Sequence, residues 1–120
     1  MPSVLVVDDA EDLLEMAQIG FEMAGWECWT ATNGKDAAQL AAQHSPQVVL
    51  LDFDLPGENG LAIFARLKEN PANAGIPVIF LTGTTHQGER ESILGAGARG
   101  IITKPFDPLS LAQQVTPYLA

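Results

Sequence analysis

Three short runs constrain this chain more than any other feature: Ser3-Val4-Leu5-Val6-Val7, Gln47-Val48-Val49-Leu50-Leu51 and Pro77-Val78-Ile79-Phe80-Leu81. Beyond its first residue each is apolar throughout, and each is followed by a polar residue, Asp8, Asp52 or Thr82. A strand with one wet face alternates apolar and polar side chains, so an unbroken run needs cover on both faces. Parallel sheets layered between helices meet that need. Two weaker runs, over 26–31 and 100–103, read as flanking strands.

Helical patterns fill the gaps. Over 10–24, Leu13, Leu14, Ala17, Phe21 and Ala24 recur at helical spacing, and Gly25 stops the pattern. Residues 35–43 are rich in Ala, and 61–68 group Leu61, Phe64 and Leu67 behind a cap at Asn59. The pattern over 88–98 is the weakest, because Gly95 interrupts it near its end. Asp107-Pro108 reads as an N-cap and first helical residue, with Leu111, Ala112 and Val115 following and Pro117 limiting the helix. Five β-α units over 1–120 predict a single α/β domain with helices on both faces of a parallel sheet.

Composition removes several function classes. Six basic against 15 acidic residues give a net charge of −9, the wrong sign for gripping nucleic acid or an anionic membrane. Hydrophobic residues make up 47%, enough for a real core, yet no apolar run has the length of a membrane helix. No basic segment leads into an apolar one at the start, so a secretory signal is not expected. The lone Cys28 excludes an internal disulfide, and a reducing, cytoplasmic setting is expected. The start at Met1 favours a natural N-terminus, while the sequence leaves open whether the domain stands alone or belongs to a larger protein.

Ligands of open parallel sheets sit at the carboxyl ends of the strands, where strand order reverses. Here the first strand leads into Asp8-Asp9, the third into Asp52, the fourth into Thr82 and the fifth into Lys104. If the first and third strands are neighbours, Asp8, Asp9 and Asp52 share one pocket. Two unit charges about 4 Å apart repel by about 4 kcal/mol at an effective dielectric near 20. Three carboxylates therefore call for a cation, and Mg²⁺ suits a site of few carboxylates and several waters. Read singly, Asp9 is a helix N-cap and Asp52 a turn residue. Lys104 leaves a strand on the same edge and suits an anion or a developing phosphoryl charge; Pro105 fixes the chain direction after it. The Thr82 hydroxyl can bond one phosphoryl oxygen, and Gly83 leaves the entrance open. In the loop after Asp52, the backbone carbonyl of Asp54 is placed to add a metal ligand, and its carboxylate adds charge at the mouth.

Asp8-Asp9, "VVLLDFDLPGENG" around Asp52, "VIFLTG" around Thr82 and "GAGARGIITKPF" around Lys104 together resemble the receiver domain of bacterial two-component response regulators. The resemblance spans Val4 to Leu119. It implies a flavodoxin-like sheet in the order 2-1-3-4-5. It also implies phosphoryl acceptance by Asp52, with Mg²⁺ (or Mn²⁺) held by Asp8, Asp9, Asp52 and the backbone at Asp54. Thr82 and Lys104 then contact the phosphoryl group. The implied donor is a histidine kinase or histidine phosphotransfer protein. An output partner of unknown kind is implied, and a weak homodimer through the helix-four to helix-five face is admitted.

One departure stands out. Where most receivers carry an aromatic residue three positions before the lysine, this chain has Ile101, so more of the conformational change is expected to fall on helix four. Asp54 is expected to influence the lifetime of the phosphoryl group. Asp52-x-Asp54 also resembles haloacid-dehalogenase-like phosphohydrolases, but there the further acidic pair comes after the lysine and here it comes first. A receiver-like binding module that works without phosphorylation is the other alternative. Gly95-x-Gly97-x-x-Gly100 matches a dinucleotide fingerprint in form only, since it closes a helix and enters a strand. Trp26 and Trp29 read as packing residues on an edge strand, His44 as a solvated helix end, and His86 as a rim residue.

Overall fold

The computed structural model describes residues 2–83, 87–104 and 107–119. Strands β1 (Ser3–Val7), β2 (Glu27–Ala31), β3 (Val48–Asp52), β4 (Val78–Thr82) and β5 (Gly100–Thr103) alternate with helices α1 (Glu11–Met23), α2 (Gly34–His44), α3 (Gly60–Glu69), α4 (Gln87–Gly95) and α5 (Leu111–Val115). The strands form one parallel sheet in the order β2-β1-β3-β4-β5. The expected class and strand order are both observed.

The unbroken apolar runs serve two cores at once. Val4, Val6, Val48, Leu50, Ile79 and Leu81 pack with α1 and α5 through Leu14, Phe21, Leu111 and Val115. The alternate residues Leu5, Val7, Val49, Leu51, Val78 and Phe80 pack with α2, α3 and α4 through Ala37, Ile63, Phe64 and Ile93. Each strand thus feeds both faces, which is why its sequence shows no alternation.

Element ends differ from the sequence reading for local reasons. β3 and β4 each run one residue further than expected, because Asp52 pairs with Leu81 and Thr82 with Thr103. β2 starts after Trp26, whose amide instead closes α1 on Phe21 at 2.9 Å. α4 ends at Gly95, and the three-glycine segment then enters β5 as expected. Asp107 caps a 3-10 turn, Pro108–Ser110, through Leu109 N at 3.0 Å, before α5 begins. The α-helix stops at Val115 and tightens into a second 3-10 turn, Thr116–Tyr118, around Pro117, which has no amide to continue α bonding. Among the described residues no helix is long and apolar enough to cross a membrane.

Cys28 lies in the α1-side core. Burial, reinforced by the charge of Glu22, pushes its thiol up to about 12. The neutral thiol is thus favoured by the fold, and its contribution to stability fades only as pH climbs from about 8.5 towards the raised value. At pH 8 the native protein is expected to resist a thiol reagent that labels the urea-unfolded chain stoichiometrically; rapid native labelling would contradict this.

Candidate functional site

The sheet order reverses at β1, so the neighbouring carboxyl ends of β1 and β3 open the crevice. Val7 pairs with Leu51, which sets Asp8 opposite Asp52. On the other side Asp52 pairs with Leu81, and Thr82 with Thr103, the residue before Lys104. Register alone therefore lines up four of the residues singled out in the sequence.

Their side chains converge. Asp8, Asp9 and Asp52 each offer a carboxylate oxygen within 4.8 Å of the others. Lys104 Nζ lies 3.1 Å from Asp8 Oδ2 and 3.3 Å from Asp52 Oδ1. Asp8 and Asp52 are buried, Asp9 is exposed, and Lys104 is partly exposed. The other Asp8 oxygen, Oδ1, accepts from Ala10 N at 3.0 Å and shapes the entry to α1. The N-cap position of α1 is Ala10, not Asp9, so Asp9 is left to face the crevice mouth. Asp52 Oδ1 also accepts from Asp54 N at 3.1 Å. The Asp54 carboxylate is exposed and stands outside the cluster of three. Thr82 is fully buried, its carbonyl accepting from Lys104 N at 2.7 Å, while Gly83 is exposed with open space around it.

Burial raises the Asp52 carboxyl; the Asp54 amide opposes this, the Asp8 charge adds to it, and Lys104 opposes it. Burial alone would lower the Lys104 ammonium, but its close approach to Asp8 and the charges of Asp8 and Asp52 leave it raised. Asp8 Oδ2 has an ion-pair neighbour yet receives no well-directed hydrogen bond. A buried carboxylate oxygen in that condition, beside two more carboxylates, fits a hard divalent cation.

The family model of the response regulator receiver domain matches residues 4–116. The chain belongs to that family. It is 36% identical over 117 residues to the phosphate regulon transcriptional regulatory protein PhoB of Pseudomonas aeruginosa, covering 98% of this chain and 51% of that protein. It is 34% identical over 112 residues to the response regulator PleD of Caulobacter vibrioides, covering 93% of this chain and 25% of that protein. The receiver thus spans about half or less of these two relatives. The chemotaxis protein CheY4 of Vibrio cholerae superposes with a TM-score of 0.91 at 27% identity, covering 99% of both chains.

Several contacts in this receiver carried no sequence signal. Both carboxylate oxygens of Glu58 lie 3.1 Å from the amide of Gly34, whose position is 24 residues away. Arg90 Nη1 donates to Thr103 Oγ1 at 3.3 Å and ties α4 to β5. The exposed His44 ring stacks on Trp29 at 4.3 Å, so it is a packing partner as well as a helix end. Trp26 packs against Phe21 as the expected packing residue, but it precedes β2 rather than lying on it. His86 and Pro105 lie outside the described residues.

Removing the lysine leaves two buried carboxylates facing each other. In metal-free buffer Lys104→Met is expected to lower stability by about 2 kcal/mol, less than for a fully buried pair because Lys104 is partly exposed. Adding Asp8→Asn is expected to recover part of that loss. Urea unfolding of the wild type and the single and double variants checks this, and additive losses would contradict it.

Proposed function

We propose that this receiver accepts a phosphoryl group on Asp52, with Mg²⁺ held by Asp8, Asp9, Asp52 and the backbone carbonyl of Asp54. Mn²⁺ is the expected substitute. The observation that carries the reading is the Asp52 carboxylate itself. Both its hydrogen bond from Asp54 N and its approach to Lys104 fall on Oδ1. Among the described residues Oδ2 has neither kind of contact, which leaves one oxygen for attack.

In the proposed reaction Asp52 Oδ2 forms a bond to the donor's phosphorus. The phosphorus–nitrogen bond of a phosphohistidine breaks, its electron pair stays on the imidazole, and that nitrogen takes up a proton. The product is an acyl phosphate on Asp52. The metal supplies charge neutralisation between two anionic reactants. Lys104 stabilises charge on a phosphoryl oxygen, and the Thr82 hydroxyl bonds another. The donor is a histidine kinase or a histidine phosphotransfer protein, acting in the cytoplasm. Met16, Ile19 and Met23, exposed at helical spacing on α1, support an apolar landing for it. The receiver then passes the signal to an output partner through the α4-β5-α5 surface.

Two experiments test this reading. Incubation with Mg²⁺ and acetyl phosphate is expected to give one phosphoryl adduct by intact mass, absent in Asp52→Asn. No adduct would leave a binding module that acts without phosphorylation, whereas repeated turnover of p-nitrophenyl phosphate would favour a phosphohydrolase. Ile101 is half-buried and offers no hydroxyl or large ring to move, while Arg90 links α4 to the residue beside Lys104. Beryllofluoride with Mg²⁺ is therefore expected to change amide-exchange protection across α4; unchanged protection would contradict this route.

A further inference from the structure

We propose that Glu58 is a positioning residue for the β3–α3 loop. Its carboxylate, seated on the first amide of α2, holds the loop in the place that brings Asp54 to the cation site. The inference rests on the metal-assisted role of the site and adds a residue to it.

The loop over 53–59 is tied to the sheet at its start, where Phe53 N donates to Leu81 O at 2.9 Å and Leu55 is buried in the core, and its remaining backbone bonds are internal. Leu55 to Glu58 form a turn with Pro56 and Gly57 in the middle, Gly57 at φ +73°, closed by Glu58 N donating to Leu55 O at 3.1 Å. These are the features of a type II turn. At the loop's base Gly60 N donates to Phe53 O at 3.2 Å. The turn bonds shape the far end of the loop, where Pro56 and Gly57 are exposed, but do not fix its position against α2. The Asp54 amide fixes one side, through Asp52 Oδ1.

Glu58 fixes the other side. Among the described residues it is the only side chain of this loop hydrogen-bonded to an element the loop does not itself connect. Both its oxygens accept from Gly34 N, at 3.1 Å each. An amide at a helix N-terminus lacks an intrahelical partner, and the helix dipole favours an anion there. A Cβ at position 34 would lie 2.7 Å from Glu58 Oε1, so a glycine is what admits the carboxylate. α2 has its own cap without Glu58, because Asn33 Oδ1 accepts from Asp36 N at 2.9 Å. The helix can keep its start without this contact; the loop, still held at Phe53 and Leu55, loses its only side-chain hydrogen bond, among the described residues, to an element it does not connect.

The test measures two quantities, Mg²⁺ affinity by calorimetry and amide exchange over 53–55 in metal-free protein. The proteins compared are the wild type, Glu58→Ala, Glu58→Gln and Asn33→Ala. Glu58→Ala is expected to weaken Mg²⁺ binding by about tenfold, the lower end for residues that orient metal ligands. It is also expected to speed loop exchange. Glu58→Gln keeps an acceptor oxygen and is expected to restore most of both. The two variants lose the same charge, so a purely coulombic effect would make them equal and overturn the proposal. Asn33→Ala is expected to lower the melting temperature while leaving both readouts unchanged. Wild-type behaviour of Glu58→Ala, or an equal loss in Asn33→Ala, would also overturn the proposal. If the wild type itself fails to bind Mg²⁺, the metal-assisted reading falls, and loop exchange in the metal-free proteins alone decides the role of Glu58.

Discussion

The ion pairs of Lys104 with Asp8 and Asp52 are the contacts on which the crevice depends. Two carboxylates are buried side by side at the ends of adjacent strands, with a third at the rim. Without a neighbouring cation their mutual repulsion would be worth about 4 kcal/mol per close pair. One ammonium at 3.1 and 3.3 Å offsets much of that, but it is a single charge against three. The residual negative charge is what makes the crevice receptive to a divalent ion. In the proposed reaction the same lysine would meet the incoming phosphoryl group, so one residue would serve both the resting state and the reaction.

That arrangement is a product of strand packing. Continuous apolar runs bury both faces of the central strands, leaving the strand ends as the place where polar side chains meet solvent. The order β2-β1-β3-β4-β5 opens a crevice between helices on opposite faces at β1 and β3. Register then sets Asp8, Asp52, Thr82 and Lys104 along one edge. The site is a consequence of where four strands stop.

Most of this was legible in advance because it is local or periodic. The runs at Val4–Val7, Val48–Leu51 and Val78–Leu81 marked the buried strands, and the polar residue after each marked the edge. The strands end one residue beyond their apolar runs where a polar residue, Asp52 or Thr82, still pairs in the ladder. Asp9 suggested a cap by type and position, yet Asp8 shapes that turn through Ala10 N. Side-chain contacts that join different elements left no trace in the sequence: Glu58 on the Gly34 amide, Arg90 on Thr103, His44 on Trp29. Each depends on how a helix or loop settles against another element, which no spacing rule encodes.

The most direct measurement of the central claim is the thermal midpoint of wild type and Asp9→Asn as Mg²⁺ is raised from zero. Clustered, incompletely neutralised carboxylates require that the wild type gain stability with Mg²⁺. They also require that Asp9→Asn melt higher than wild type without metal and gain less from it. A wild-type midpoint indifferent to Mg²⁺, together with an Asp9→Asn variant no more stable in metal-free buffer, would contradict the account.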